Sequence, residues 1–488
     1  MASLILPVAI VSQMLVHPDL TTTTKLPSVH SAAPSASPAA MDAASIAHPP
    51  HESKIWSDSW SEARDRFRSA AKSAGARLVT LDYDTTESIP DVWRTHHDED
   101  VKYTIDVAIL GNEELASNLV IHSSGVHGVE GYPGAAIQVA FLHRAAQRKW
   151  TPPADCAVIL MHGINAVGMA ELRRWNERGV DMNRNFFIEG ITRDVIDGTT
   201  TAATHDTMRA RDYPLYSKVY QLLNPSRPGT FLPRWSFYAQ ALAAVVRHGF
   251  GAVKEAVAGG QYIRTEKDAG AQPGIWYGGH ELEQSLQIVT RFVAGLGQKR
   301  HGPKGTPVRR LAHVDVHTGL GPYGEDELLI PDTRATPNAT ISVTAACSAL
   351  GGDGTADGIA SVPRAELMRK EDTSWRIYGL FCTAVPQVFA HAAGGAVSEA
   401  AGFIQEFGTV SPFDVVRALR DEGALVRAAE LDGKTVPGLD HPIRQRLRET
   451  FYPSDPKWRK RVVDRGLVVL DEMLTWASAA TGECDADA

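Results

Sequence analysis

The stretch from His122 to Gly131 combines a histidine and a glutamate at a spacing suited to binding a metal ion. His127 and Glu130 are three residues apart, so a single helical turn can direct both side chains at one point. Neutral imidazole and carboxylate are ligands of catalytic zinc sites, which use three protein ligands and leave one position for water. The pair therefore predicts part of a metal centre. Such a centre also needs a third ligand, a base and a group that holds the substrate.

A second histidine motif, Asp315-Val-His317, ends another predicted strand. If this strand runs parallel to the one before His127, both histidines leave the sheet at the same edge, where ligands can converge. Asp315 lies two residues before His317, on the same strand face, and is expected to orient the imidazole. From spacing alone, His313 and His122 have an equal claim to the third position.

A polar segment at 181–186, with the sequence Asp-Met-Asn-Arg-Asn-Phe, lies between apolar segments. The planar guanidinium of Arg184 matches a carboxylate, and Asn183 adds a donor and an acceptor beside it. These two residues are candidates for binding a substrate carboxylate. Arg174 is a candidate for stabilising negative charge on a carbonyl oxygen. The alternative interpretation is a solvated polar loop.

Glu406 is the one carboxylate in the apolar run 401–407. A buried charge costs free energy unless it is paired or functional. A carboxylate beside a metal ion can act as a general base toward water, with its pKa set by the site. The alternative is an edge-strand glutamate that points to solvent.

In this order, the four motifs resemble the zinc metallocarboxypeptidase superfamily, which includes carboxypeptidases, aspartoacylase and succinylglutamate desuccinylase. The resemblance covers roughly residues 55–478 and is strongest to an uncharacterised branch, in the segments around His127, 173–177 and Glu406. It implies one Zn²⁺ per chain, with three metal ligands, a base that activates water, a group that polarises the scissile carbonyl and two groups that hold a substrate carboxylate. The resemblance assigns His127, Glu130 and His317 as the metal ligands and Glu406 as the base. It assigns Arg174 to the scissile carbonyl, and Asn183 with Arg184 to the substrate carboxylate.

The superfamily also places a tyrosine over the substrate. Tyr277 is the candidate lid residue here, and Tyr378 has an equal claim. Histidine and carboxylate ligands accept several divalent ions, so the donor types alone do not specify zinc.

Alternating strand and helix patterns predict an α/β protein. The resemblance implies a three-layer α/β/α sandwich with a mixed, mostly parallel sheet, formed by residues 53–480 with insertions at about 187–300 and 320–400. Residues 237–257 have the pattern of one helix. Residues 385–389 have that of a strand, at an edge of the sheet or at a strand start, because Pro386 cannot donate to a ladder.

The composition is that of an ordinary globular protein, with 43% hydrophobic and 22% charged residues and a net charge of −8. The charge is spread without a basic block, which argues against nucleic acid or an anionic membrane as the main partner. Residues 1–52 are predicted to be disordered or a targeting segment. The apolar run at 4–16 is too short to span a bilayer, and no other stretch predicts an integral membrane segment. A cytoplasmic location is expected, with an organellar or secretory signal as the alternative. Nothing in the sequence specifies an oligomeric state.

These observations predict a zinc-dependent hydrolase that cleaves an amide bond near a substrate carboxylate. The substrate is expected to be a peptide or an N-acyl amino acid. One alternative is a dedicated deacylase of N-acyl amino acids, which would use the same residues in a more closed pocket. The other is a binding protein that keeps the fold without the chemistry.

Overall fold

An eight-stranded sheet forms the centre of the fold. The computed structural model describes residues 54–83, 102–186, 215–229, 233–249, 251–253, 256, 259–261, 274–299, 307–331, 343–350, 365–368 and 379–479. The strands are β1 Arg77–Tyr83, β2 Tyr103–Leu110, β3 Asn118–Ser124, β4 Cys156–His162, β5 Val308–Gly319, β6 Asp326–Pro331, β7 Ala365–Met368 and β8 Val397–Gly408. The predicted segment 1–52 and Tyr378 lie outside the described residues.

The strand order is β1-β2-β4-β3-β5-β8-β6-β7. The four middle strands, β4, β3, β5 and β8, are parallel to one another. On one side β2 and β1 add antiparallel strands, and on the other β6 is antiparallel to β8 and parallel to β7. The predicted mixed, mostly parallel sheet is confirmed. Its parallel centre is buried, as expected for strands that are covered on both faces.

Eleven α-helices have defined bounds in these residues, and residues 251–253 and 256 are also helical. The eleven are α1 Trp60–Ser73, α2 Gly131–Arg148, α3 Ala166–Ala170, α4 Tyr216–Leu223, α5 Pro233–His248, α6 Gln284–Gln298, α7 Val343–Ala349, α8 Phe381–Ala392, α9 Pro412–Leu431, α10 Pro442–Phe451 and α11 Pro456–Ser478. Within them, none combines the length and apolarity that a bilayer span requires.

Helices cover both faces of the parallel strands, which confirms the three-layer arrangement. On one face Gly134 of α2 packs so closely that an added Cβ would lie 3.3 Å from Val316 on β5. On the other face His313 of β5 contacts Phe381 of α8, with ring centroids 5.5 Å apart. Odd- and even-numbered residues of β5 thus face different helix layers, as strand geometry requires.

The predicted strand at 385–389 is wrong, because these residues lie inside α8. A short apolar run fits a buried helix as well as a strand, so its periodicity could not distinguish the two. Pro386 lacks the N–H that would bond to the carbonyl of Cys382 one turn earlier. That carbonyl oxygen instead lies 3.0 Å from Nδ1 of His313.

The predicted helix at 237–257 begins earlier and is interrupted at Gly249, after which residues 251–253 and 256 are again helical. Helix α5 spans Pro233–His248. Gly249 follows with a φ of +85°, and its N–H donates to the carbonyl of Val245 at 2.8 Å. A glycine in the left-handed conformation is a common helix terminator, which explains the boundary.

A buried polar cluster joins the start of α6 to the segment around residue 176. Asn176 Nδ2 donates to Glu283 Oε2 at 2.8 Å, and the backbone N–H of Glu283 donates to Asn185 Oδ1 at 2.8 Å. Burial raises the pKa of Glu283 to about 7, with Glu177 adding to the shift and Arg178 opposing it. The folded chain therefore binds a proton here that the unfolded chain releases at lower pH.

Replacing Glu283 with Gln should stabilise the protein above neutral pH. Because the folded pKa lies above the unfolded value of 4.5, wild-type stability falls as the pH rises from about 4.5 to 7. The glutamine does not ionise, so the free energy of unfolding of the variant should exceed that of the wild type by about 1–3 kcal/mol at pH 8 and by less at pH 5. Thermal unfolding at both pH values tests this. Glu281→Gln, a change of the same kind at a more exposed position, is the control, and an equal effect of Glu283→Gln at both pH values would contradict the assignment.

Candidate metal centre

Three buried side chains converge at the carboxyl ends of β3 and β5. His127 follows β3, Glu130 ends a short 3₁₀ helix (Gly128–Glu130), and His317 lies near the end of β5. Nδ1 of His127 is 3.0 Å from Glu130 Oε1, and Nδ1 of His317 is 3.1 Å from His127 Nδ1 and 3.2 Å from Glu130 Oε2. The structure thus brings the three predicted ligands to one point.

The residues present fit a zinc ion. Atoms that each lie about 2.0–2.1 Å from a tetrahedral zinc ion are separated by about 3.3 Å, close to the separations of the three donor atoms here. The donors are two imidazole nitrogens and one carboxylate, a set typical of catalytic zinc sites. Within the described residues, this is the group of histidine and acidic side chains that could hold a metal ion.

The two alternative histidines lie elsewhere. His122 faces α2, where Gln138 Nε2 lies 3.2 Å from its Nδ1. His313 lies deeper on the opposite face of the sheet and contacts Ser123 and the carbonyl of Cys382. Burial lowers the pKa of His122 to about 3 and that of His313 to about 4, so both imidazoles are neutral at physiological pH.

A carboxylate orients each imidazole of the site. His127 Nε2 lies 2.9 Å from Asp181 Oδ1, and His317 Nε2 lies 2.7 Å from Asp315 Oδ2. A proton on Nε2 of each ring leaves the Nδ1 lone pair directed at the other ligands. Asp315 was predicted in this role. The sequence identifies Asp181 only as part of the polar segment. Residue spacing does not predict its contact with a histidine 54 residues away.

The site has an excess of negative charge that favours a cation. Burial lowers the pKa of His317, but the carboxylates of Asp315 and Glu130 outweigh it and raise the pKa to about 10. Burial raises the pKa of Glu130, but the adjacent His127, His317 and Arg174 outweigh it and lower the pKa. The negative potential that holds a proton on His317 is the potential that would hold a divalent ion.

Arg174 is hydrogen-bonded to the ligand cluster. Its Nε and Nη2 donate to Asp181 Oδ2 at 3.1 and 3.0 Å, and its Nη1 donates to Glu130 Oε1 at 2.9 Å. The guanidinium is therefore hydrogen-bonded to one ligand and to the carboxylate that orients another. It also lines the cavity. Its predicted contact with a substrate carbonyl stays a prediction.

Glu406 lies across from the third ligand. The parallel register of β5 and β8 pairs His317 with Glu406, so both side chains leave the sheet at the same level. Strand β8 lies between β5 and β6, and Glu406 is 9% exposed, so it is not an edge-strand glutamate that faces bulk solvent. Its Oε1 accepts from the N–H of Leu320 at 2.9 Å. Burial, reinforced by the charge of Glu130, raises the pKa of Glu406 to about 7.

Asn183 and Arg184 also reach the site from their 3₁₀ turn. Asn183 Nδ2 lies 3.5 Å from His317 Nε2, and its Oδ1 accepts from the N–H of Phe381 at 2.8 Å. Arg184 Nη1 donates to the backbone carbonyl of Asn183 at 3.0 Å. Both residues line the same cavity as the metal ligands. The segment is buried, which excludes the alternative of a solvated loop.

Tyr277 is buried and contacts His280 and the backbone of Asp181. Its hydroxyl lies 2.7 Å from His280 Nε2, and its carbonyl accepts from the N–H of Asp181 at 2.7 Å. Its neighbour Trp276 lines the cavity, whereas Tyr277 is not among the lining residues. The position of Tyr277 supports a role in holding the Asp181 backbone and gives no support to the predicted substrate contact.

The cavity in front of the ligands has a volume of about 360 Å³. Its polar end is formed by the metal ligands with Arg174, Asn183, Arg184, Glu327 and Glu406. A second part of the lining, which we call the apolar wall, is formed by side chains of α4, α5 and α9 and includes Val219, Leu222, Phe237, Ala241, Ala244 and Leu419. Sequence reasoning missed this wall, because an apolar stripe on a helix is as typical of a core contact as of a ligand contact.

Backbone contacts fix the loop that carries two of the ligands. The N–H groups of Gly128 and Val129 donate to the carbonyls of Arg174 and Arg173 at 3.1 and 2.8 Å. A Cβ added to Gly128 would lie 2.1 Å from the carbonyl carbon of Gly168 on α3. Only a glycine allows these two backbones to approach so closely.

We expect Gly128→Ala to displace the ligand loop. The added methyl group must separate two backbones, so the variant should lose metal affinity and about 1–3 kcal/mol of stability. Metal content and thermal unfolding of the purified variant measure both effects. Gly295→Ala on α6 is the control, because its added Cβ meets nothing within 4 Å. Full metal content in Gly128→Ala would show that the close approach does not position the ligands.

Several solved structures are similar to this chain. Bovine thrombin-activatable fibrinolysis inhibitor, solved with tick carboxypeptidase inhibitor, has 10% identity and a TM-score of 0.42, with 87% of this chain and 99% of that chain covered. Carboxypeptidase A from Helicoverpa armigera has 11% identity and a TM-score of 0.36, with 80% and 73% covered. Succinylglutamate desuccinylase from Chromobacterium violaceum has 14% identity and a TM-score of 0.29, with 77% and 76% covered.

Carboxypeptidases and a desuccinylase are thus among the solved structures that this chain resembles, as the motifs indicated. At these identities and TM-scores, the likeness carries no conclusion about activity. No curated protein matches the chain by sequence. A family model described as "Protein of unknown function (DUF2817)" matches residues 56–465. The chain therefore belongs to the DUF2817 family.

Proposed function

We propose that this protein is a zinc-dependent hydrolase that cleaves an amide bond near a substrate carboxylate. The observation that carries the proposal is the arrangement of the residues that line one cavity. His127, Glu130 and His317 converge on one point of its wall, and Glu406 lies beside them. Three ligands and an adjacent carboxylate of raised pKa are the components of a metal-assisted hydrolytic site.

A zinc ion held by these ligands would lower the pKa of water toward about 7 and polarise a carbonyl group. Glu406 supplies the proton transfers. Its carboxylate takes a proton from the attacking water and then delivers it to the leaving amine. Burial raises the pKa of the Glu406 carboxyl above its ordinary value, which favours uptake of the proton that a general base must take.

The arginines provide the fixed positive charges of the site. Arg184 and Asn183 both line the cavity. In this proposal the guanidinium of Arg184 binds the substrate carboxylate through two parallel hydrogen bonds. Arg174 places positive charge beside the carbonyl oxygen that becomes negative during attack. Its contacts to Asp181 and Glu130 hold it in place before substrate arrives, which is the preorganisation that such stabilisation requires.

The apolar part of the cavity lining favours deacylation of N-acyl amino acids over cleavage of extended peptides. The polar groups come from the ligand-bearing segments, and the lining side chains from α4, α5 and α9 are apolar. The second candidate, a binding protein without activity, would use the same cavity. It is disfavoured because Glu406, which contributes nothing to holding a ligand carboxylate, lies buried beside the metal ligands.

Glu406→Gln should reduce kcat by at least about 100-fold while leaving the metal bound. The amide cannot accept the proton, and loss of a general base typically costs about 10²–10⁴ in rate. Hydrolysis of N-acyl amino acids and blocked dipeptides, with metal content measured beside it, tests this. The control is Glu399→Gln on the same strand, where the carboxylate pairs with Arg310 at the surface. Normal turnover in Glu406→Gln would refute the assignment of the base.

Purified protein should contain about one zinc ion per chain, as a three-ligand catalytic site implies. His127→Ala should lose it, because two remaining ligands bind weakly. Elemental analysis and the zinc dependence of the melting temperature give two readouts. His143→Ala on α2, away from the site, is the control. A different divalent ion in the wild type would refute zinc and keep the site, whereas equal metal content in both histidine variants would refute the site.

A further inference from the structure

We propose that the substrate is an N-acyl amino acid whose acyl group is a long, uncharged hydrocarbon chain that lies against the apolar wall. This inference rests on the proposed function and specifies its substrate class. The observation behind it is the separation of polar and apolar groups within one cavity.

All the charged groups that line the cavity come from the ligand end and from Glu327 on β6. By contrast, the lining side chains of α4, α5 and α9 are apolar without exception among the described residues. Leu223 and Phe237 are 3% and 2% exposed and are packed in place. The wall is therefore a preformed hydrocarbon surface, which attracts a ligand by removing apolar area from water.

The size of the cavity argues for more than one amino-acid side chain. An apolar cavity of about 150 Å³ is enough for a benzene-sized molecule. The cavity here, at about 360 Å³, is more than twice as large. Its volume falls in the range of pockets that enclose whole small molecules.

The chemistry of the wall argues for an acyl chain over a peptide. A peptide that extends from the scissile bond carries further N–H and C=O groups, each of which costs free energy when it is buried without a hydrogen bond. The apolar wall offers no polar side chain among its described residues to satisfy them. A hydrocarbon chain has no such requirement. The carboxylate of the amino acid, at the other side of the amide, meets Arg184.

A series of N-acylglycines from acetyl to dodecanoyl tests the proposal in the zinc-loaded wild type. Glycine has no side chain, so any apolar contact comes from the acyl group. We expect kcat/KM to rise by up to about fourfold per added methylene, the factor that corresponds to about 0.8 kcal/mol, until the cavity is filled. N-acetyl-leucine and N-acetyl-phenylalanine are the comparison substrates, because they carry the apolar group on the amino acid instead of on the acyl chain. A preference for these over the long acylglycines would place an amino-acid side chain against the wall and overturn the proposal.

A matched pair of variants on α5 tests the location. Ala244 lines the cavity, whereas the adjacent Ala243 is exposed. Ala244→Trp should lower the ratio of dodecanoyl to acetyl kcat/KM by at least about tenfold, because the indole fills the space of the chain. Ala243→Trp should leave that ratio unchanged. Equal ratios in the two variants would show that the chain does not lie against α5.

Binding measured without turnover separates this proposal from the proposed function. Titration calorimetry of Glu406→Gln with N-dodecanoylglycine and N-acetylglycine should show tighter binding of the longer ligand. If no amide is hydrolysed by the wild type but this difference is present, the hydrolase fails and the apolar binding site stands. If the two ligands bind equally, the apolar wall is not a chain-binding surface, whatever the activity.

Discussion

Asp181 is the charge on which the candidate site depends. It is fully buried, its Oδ1 lies 2.9 Å from His127 Nε2, and its Oδ2 accepts twice from Arg174. Burial raises the pKa of this carboxyl, but Arg174 and His127 outweigh it and hold the pKa well below its usual range. Because a buried charge without a partner is costly, each member of this group makes the burial of the others tolerable. The ligand loop, the polar segment and Arg174 are therefore stable as one unit.

The parallel sheet supplies the precision that this unit needs. Adjacent strands β3, β5 and β8 end at the same edge, and their register sets His317 opposite Glu406. A slip of one residue would turn either side chain to the other face of the sheet. Such a slip would also turn the buried apolar side chains of the strand to the other face, so the buried centre of the sheet prevents it. The distance between the third ligand and the base is thus determined by core packing far from the cavity.

The sequence predicted the parts whose chemistry is local and missed those that depend on packing. His127 and Glu130 share one turn, and Asp315 precedes His317 on one strand, so residue type and spacing were sufficient. The contact of Asp181 with His127 joins distant segments, and no local pattern reports it. The run at 385–389 was assigned as a strand because apolar residues alone do not distinguish two buried elements. The apolar wall was missed because a helix stripe does not reveal whether it faces a core or a cavity.

The proline in α8 has a consequence for the orientation of the metal ligand. Pro386 has no N–H to offer the carbonyl of Cys382, and this oxygen lies 3.0 Å from His313 Nδ1. Nε2 of the same ring lies 2.9 Å from Ser123 Oγ. The hydroxyl of Ser123 donates to Asp315 at 2.7 Å, and Asp315 holds the ring of His317. A gap in the backbone hydrogen bonding of one helix is thus the first link of a chain that ends at the cavity. A residue with an N–H at position 386 would bond to the same carbonyl, so His313 would have to share that oxygen as its second donor.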